Sequence, residues 1–311
     1  MSIIERAAER LSGIRPRVPS ELDAFEGQVS FAGDRPGDSG REAPAQIHTP
    51  PTSVDNPDIV LIGAGREFLL SPEGGRSRTA EEFRVVKRPL LVNAFERPLT
   101  NVKYPNLVMV TSSVQGEGKT FTSLNLAISV TMEMDSTVLL IDADVAKPGL
   151  SKRLGIRDRP GLIDVLADES IDLADVLLKT DIPKLTVLPA GTTHKRSTEL
   201  LASGAMRRLL SEVASRYTDR IVLFDSPPVL ETTEASVLAS LMGQVVLVVE
   251  HESTAQGIVS ETLAHFQSVE NVFLILNKCK TSVFAGKYGY GYGYGYGYGY
   301  GRYGEDAGSD G

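Results

Sequence analysis

The chain has 311 residues, 41% of them hydrophobic, with a formal net charge of −8 and a single cysteine. That length suits one large domain or two small ones with a real core. The acidic balance argues against free nucleic acid as a partner, and the lone Cys279 excludes a disulfide framework and fits a reducing, cytosolic setting.

The first residues are not expected to be a signal peptide, because acidic side chains interrupt them. They read as a short amphipathic helix with Ile3, Ile4, Ala7, Ala8 and Leu11 on one side. Such a helix either packs on its own protein or docks on another. Residues 15 to about 75 are rich in Pro, Gly, Asp and Ser, as in Arg35-Pro36-Gly37-Asp38. They hold too little apolar surface to offset their ordering entropy and are expected to be mostly disordered. The short apolar run Ile59–Ile62 is an exception without an assigned place. Residues 1–77 thus read as a short helix plus linker.

From 78 to 283 the pattern is regular. A helix is expected to start near Thr79, with Glu81 and Glu82 in its first turn. Buried strands are expected at 107–111, 137–142, 185–189, 221–225, 245–249 and 272–276, each a short run of Val, Ile and Leu. Helical patterns fall at 119–133, 203–217, 232–241 and 254–268, with Ser203 and Thr254 as N-caps. This alternation predicts an α/β fold, a parallel sheet flanked by helices, with ligands beyond the carboxyl ends of the strands. No apolar run approaches the ~20 residues of a membrane helix. From 284 to 311 the chain is low in complexity. Tyr288, Tyr290, Tyr292, Tyr294, Tyr296, Tyr298 and Tyr300 alternate with glycine, Tyr303 follows, and an acidic end closes the tail.

The strand at 107–111 empties into Ser113-Val114-Gln115-Gly116-Glu117-Gly118-Lys119-Thr120, and a helical pattern follows. A strand, a glycine-rich turn ending in Gly-Lys-Thr and a helix make a phosphate cradle, in which backbone N–H groups meet anionic oxygen. Gln115 to Phe121 are expected to hold the nucleotide. Lys119 reaches the terminal phosphates and Thr120 ligates magnesium. The pattern departs in one place, with Ser113 where the first glycine is usual. Two further strand exits bear acids. One gives Asp142 and Asp144, the other Asp225 before Ser226-Pro227-Pro228. Buried carboxylates at strand ends are costly unless paired or metal-bound, and together with Thr120 they are candidate holders of Mg2+. The alternating tyrosines are either a sticky low-complexity tail or a substrate that presents equivalent phenols. A phenol with a pKa of about 10 needs a base to attack a phosphate, and Asp142, Asp144 or Asp225 could serve.

These features together resemble the bacterial tyrosine kinases of capsule and exopolysaccharide assembly, over roughly 78 to 303. The resemblance lies in Gly116-Glu117-Gly118-Lys119-Thr120, in Leu140-Ile141-Asp142-Ala143-Asp144 with Pro148, in Phe224-Asp225-Ser226-Pro227-Pro228-Val229-Leu230 and in the tyrosine cluster. Thr79 to Leu91 and Met1 to Leu11 are most similar to stand-alone autokinases of exosortase-linked polysaccharide systems. The resemblance implies a P-loop NTPase fold, ATP and Mg2+, and autophosphorylation of the tail tyrosines. It also implies a membrane chain-length determinant or co-polymerase as partner, a tyrosine phosphatase, and a cytoplasmic location at the membrane's inner face. Asn277 stands where relatives contact the adenine. The family's ring-forming motif, E-x-x-R-x-x-R, is matched by Glu81, Arg84 and Lys87, where lysine loses the planar fork of arginine.

The rival reading is a MinD- or ParA-like positioning ATPase. Such proteins often carry a lysine early in the phosphate loop, at the position of Val114 here. A non-catalytic scaffold with an associating tail is the other alternative, and it leaves the acids and the phosphate loop unexplained.

Overall fold

A computed structural model describes residues 60, 62, 70, 71, 77–97, 102–216 and 219–279, which belong to one compact unit. The amphipathic segment at 3–11, most of the stretch 15–75 and all eight tail tyrosines lie outside the described residues.

The strands form one seven-stranded sheet. They are β1 (Leu107–Ser112), β2 (Thr137–Asp142), β3 (Leu178–Lys179), β4 (Leu185–Leu188), β5 (Arg220–Asp225), β6 (Gln244–Glu250) and β7 (Val272–Asn277), in the order β3-β4-β2-β5-β1-β6-β7. All six expected strands are present. The sheet is parallel except for β3, a two-residue antiparallel strand at one edge that is too short to leave an apolar signature. The central strands bury both faces, and their side chains alternate between two cores. Leu107 and Met109 join Leu139, Ile141, Val222 and Phe224 on one face, while Val108 and Val110 join Val138, Leu140, Ile221 and Leu223 on the other.

Helices cover the two faces. The second core is closed by α1 (Arg78–Leu91), which runs on into a π-helical turn at Val92–Glu96, and by α2 (Lys119–Thr131) and α3 (Gly149–Arg153). The first is closed by α4 (Leu162–Ala167), α5 (Leu173–Val176), α6 (Ser197–Leu201), α7 (Gly204–Ser215), α8 (Thr233–Ala239) and α9 (Gln256–Ala264). The short helices α3 to α6 span too few turns to show a period in the sequence.

Caps explain the boundaries. Ser77 Oγ accepts from Ala80 N at the start of α1, and Ser203 Oγ accepts from Met206 N at the start of α7. The cap expected at Thr254 is corrected. Ala255 is the N-cap of α9, and the Thr254 hydroxyl instead donates to Glu117 of the phosphate loop.

The folded unit also starts earlier than 78. Val60 bridges to Thr180, with its N–H donating to Lys179 O at 2.9 Å, and Val60 and Ile62 are buried in the second core. Val60 and Ile62 of the apolar run therefore contribute to the fold rather than to a linker.

Candidate active site

β1 delivers the chain to the phosphate loop at the centre of the sheet, and α2 begins at Lys119. Gly116 and Gly118 have φ of +96° and +99°, a region that glycine enters without steric cost. Gly118 is also the N-cap of α2, and a Cβ there would run into Asn277 Nδ2. Asn277, at the end of β7, donates to Glu117 O at 2.8 Å and so braces the loop from the side. Ser113 fits in place of the usual glycine because its side chain turns inward, where Thr262 of α9 donates to its hydroxyl at 2.8 Å. Glu117 turns inward as well. Its carboxylate accepts from Val114 N at 2.9 Å, from Glu250 N at 3.3 Å and from the Thr254 hydroxyl. Glu117 thus offers a nucleotide its backbone only.

The register of the sheet sets the acids side by side, since Asp142 and Asp225 are paired across β2 and β5. Lys119 Nζ lies 2.8 Å from Asp144 Oδ2. Asp225 accepts from Thr120 Oγ1 at 2.8 Å and from Ser123 Oγ at 3.0 Å. Asp142 Oδ2 accepts from Ser151 N at 2.7 Å, and its Oδ1 accepts from Asp144 N at 3.2 Å. Burial, reinforced by the charge of Asp225, pushes the Asp142 carboxyl up to about 7. Burial also raises Asp225, against the pull of Lys119, Thr120 and Ser123. On Lys119 burial acts to lower the pKa, but the carboxylates of Asp225, Asp144 and Asp142 outweigh it and hold the ammonium above its ordinary value.

The expected magnesium holders are engaged in different ways. Among the described residues, no three acidic, histidine or cysteine side chains converge tightly enough to hold a metal by themselves. Both Asp142 oxygens accept backbone N–H groups, and Asp144 is paired with Lys119. The donor pair that fits is the Thr120 hydroxyl with Asp225 beside it, which suits an ion that completes its shell with substrate phosphates and water.

The remaining expectations fall in different places. The Phe121 ring packs on Phe83 of α1, with centroids 6.3 Å apart, and lines an open groove of about 640 Å³ between α1 and the edge strand β7. Glu81 and Arg84 are exposed on α1 and paired with each other at 2.6 Å. Lys87 does not join them. It is buried against α2, where it donates to Ser129 O at 2.6 Å and pairs with Glu133 at 2.7 Å.

Two residues not singled out from the sequence stand at the mouth of the cradle. Gln115 N donates to Glu231 Oε1 at 2.6 Å, and Lys147 Nζ donates to Gln115 Oε1 at 3.1 Å. Both follow strand-end acid motifs in the sequence, which is the signal that could have marked them.

Residues 106–278, more than half of the chain, match the AAA domain family. Among curated proteins, the chain is 36% identical over 187 residues to a putative tyrosine-protein kinase, EpsB, of Ralstonia nicotianae, covering 59% of this chain and 24% of that protein. It is 31% identical to the tyrosine-protein kinase YwqD of Bacillus subtilis, covering 58% of this chain and 71% of that one. The chain therefore spans about a quarter of the length of EpsB and most of YwqD. Among solved structures, the kinase domain of VpsO is similar with a TM-score of 0.55 and 29% identity, covering 65% of this chain and 97% of that domain.

Proposed function

The chain belongs to the AAA domain family, among the bacterial tyrosine-protein kinases, and from that membership we propose that it is an ATP-dependent tyrosine autokinase. It transfers the γ-phosphate of ATP to the tyrosines at 288–303 of a neighbouring copy and so regulates exopolysaccharide polymerisation or export. One observation carries this reading: Lys119, Thr120, Asp144 and Asp225 meet at the end of one phosphate loop.

The polyphosphate lies on the backbone N–H groups of 115–121, at the start of α2. Lys119 turns from Asp144 to the terminal phosphate and stabilises its charge during transfer. Thr120 and Asp225 would hold magnesium, which would supply neutralisation of phosphate charge. A phenolic oxygen of the tail attacks the γ-phosphorus, the bond to the β-phosphate oxygen breaks, and ADP leaves. The phenolic proton passes to one acid of the Asp142–Asp144 pair. Asp144 becomes unpaired once Lys119 moves, whereas Asp142 anchors Ser151 and the turn at 143–144.

Each phosphate adds roughly −1.5 to −2 charges at neutral pH. Several on one tail would repel, so phosphorylation cycles the chain between an assembled ring and dispersed subunits, and a tyrosine phosphatase resets it. No helix among the described residues is long and apolar enough to cross a membrane. The reading includes a membrane co-polymerase as the partner that holds the chain at the inner face.

The test is mass spectrometry of the tail after incubation with Mg·ATP. Phosphotyrosine should appear between 288 and 303, and deleting those residues should remove it without loss of nucleotide binding. Hydrolysis of ATP with unmodified tyrosines, even with the membrane partner present, would instead favour the positioning ATPase.

A further inference from the structure

At the mouth of the cradle three loops, from the exits of β1, β2 and β5, each contribute one side chain to a small charged triangle. Glu231 Oε1 accepts the Gln115 N–H at 2.6 Å, Lys147 Nζ donates to Gln115 Oε1 at 3.1 Å, and Lys147 stands 3.7 Å from Glu231 Oε2. The backbone fixes both charged residues in place. Ser226 N, Val229 N and Leu230 N donate to Val110 O, Ser112 O and Ser113 O, which stitches the loop before Glu231 onto β1 and the phosphate loop. Lys147 N donates to Asp144 Oδ1 at 3.1 Å, and Asp144 in turn holds Lys119.

Lys119 is the residue that reaches terminal phosphates. The turn from Asp144 to Lys147 therefore lies at the terminal-phosphate end of the cradle. A carboxylate seated there on an outward-facing loop N–H occupies the kind of place that anionic oxygen takes in such loops.

We propose that Glu231 is a resident stand-in for the third phosphate and that Lys147 is the cation exchanged between them, so that the pair makes the site distinguish nucleoside triphosphate from diphosphate. The proposal rests on the nucleotide-binding reading above and adds to it two specificity-determining residues. A diphosphate leaves the Glu231–Gln115 bond and the Glu231–Lys147 pair intact. A triphosphate brings negative charge against Glu231, which swings away, and Lys147 follows the charge to the phosphate. The carboxylate opposes the incoming phosphate, and the ammonium offsets that opposition only when the third phosphate is present.

The experiment measures the affinity of the full chain for fluorescent Mg·ADP and for a non-hydrolysable Mg·ATP analogue, in the wild type, Glu231→Gln and Lys147→Gln. Glu231→Gln should bind the triphosphate more tightly by about two- to five-fold, the range that a partly exposed charge commands, with the diphosphate unchanged. Lys147→Gln should weaken the triphosphate by a similar factor and spare the diphosphate. Raising the salt concentration should shrink both differences. Equal shifts for the two nucleotides, or no shift in either variant, would overturn the proposal while leaving nucleotide binding intact. A wild-type chain that took up neither nucleotide would overturn the nucleotide reading and this inference with it.

Discussion

Lys119 and Asp144 form an ion pair at 2.8 Å, with only 12% and 4% of their side chains exposed. The lysine assigned to phosphate is therefore compensated in charge by Asp144, and in the proposed reading an incoming nucleotide has to displace that pair. Removing one partner of such a pair strands the other charge in a poorly solvated place, at about 3 kcal/mol or more. Lys119→Met should therefore abolish tail phosphorylation and also lower the unfolding free energy. Adding Asp144→Asn should recover much of the stability and none of the activity. Chemical denaturation alongside phosphotyrosine detection checks both, and a double variant no more stable than Lys119→Met would contradict the pairing.

Gly118 joins a left-handed backbone to a close approach by Asn277. Gly118→Ala should cost about 1–3 kcal/mol through backbone strain and should sharply reduce nucleotide affinity, because the loop N–H groups would be displaced. Adding Asn277→Ala relieves the collision but not the strain, so stability should return only in part. Thermal unfolding with and without Mg·ATP separates the two contributions.

The three residues matched to the ring motif should behave differently from one another. Lys87 is an internal tie to Ser129 and Glu133, so Lys87→Ala should lower the melting temperature clearly. Glu81 and Arg84 form an exposed pair on one helix, of a kind that contributes only about 0.2–0.5 kcal/mol. Glu81→Ala and Arg84→Ala should leave the melting temperature nearly unchanged. If α1 lies in a subunit contact, they should lower the assembled mass seen by light scattering.

The Asp142 carboxyl, raised from 3.8 to about 7 by burial and then by the charge of Asp225, makes the site sensitive to pH. Between these values the folded chain keeps a proton that the unfolded chain has released. Stability from this group is fully present below about pH 4 and is lost as pH rises through about 7. Asp142→Asn stays neutral throughout. Its melting temperature without nucleotide or magnesium should therefore gain on that of the wild type between pH 5 and pH 8. A constant difference across that range would show that Asp142 does not titrate there.

The sheet was readable because its central strands are apolar and buried on both faces, and the edge strand β7 keeps the same apolar composition although Leu274 and Leu276 are exposed. The same reasoning misses β3, whose two residues are held by pairing with β4 and not by their own composition. The phosphate loop and the three aspartates were readable because each lies at or just beyond the end of a strand. What the sequence conceals is where side chains turn. Glu117 and Ser113 look like loop residues facing a ligand, yet both point into the interior, and Thr254 looks like a helix cap but bonds to Glu117. Lys87 sits in a surface-like pattern, yet it is drawn inward by a backbone carbonyl of α2. Glu231 and Lys147 each follow a strand-end acid motif, but only the meeting of three loops gives them a role.

The Val60 bridge has a mechanical side. Val60 N–H is bound to Lys179 O at 2.9 Å, Asp181 N–H to Val60 O at 3.2 Å and Ile62 N–H to Asp181 Oδ1 at 2.9 Å, while Leu70 N–H is bound to Asn125 Oδ1 at 2.8 Å. Tension on the preceding segment would load the β3–β4 edge first. A second tie, from Leu70 to Asn125, would hold the helix that begins at Lys119 once the first gives way.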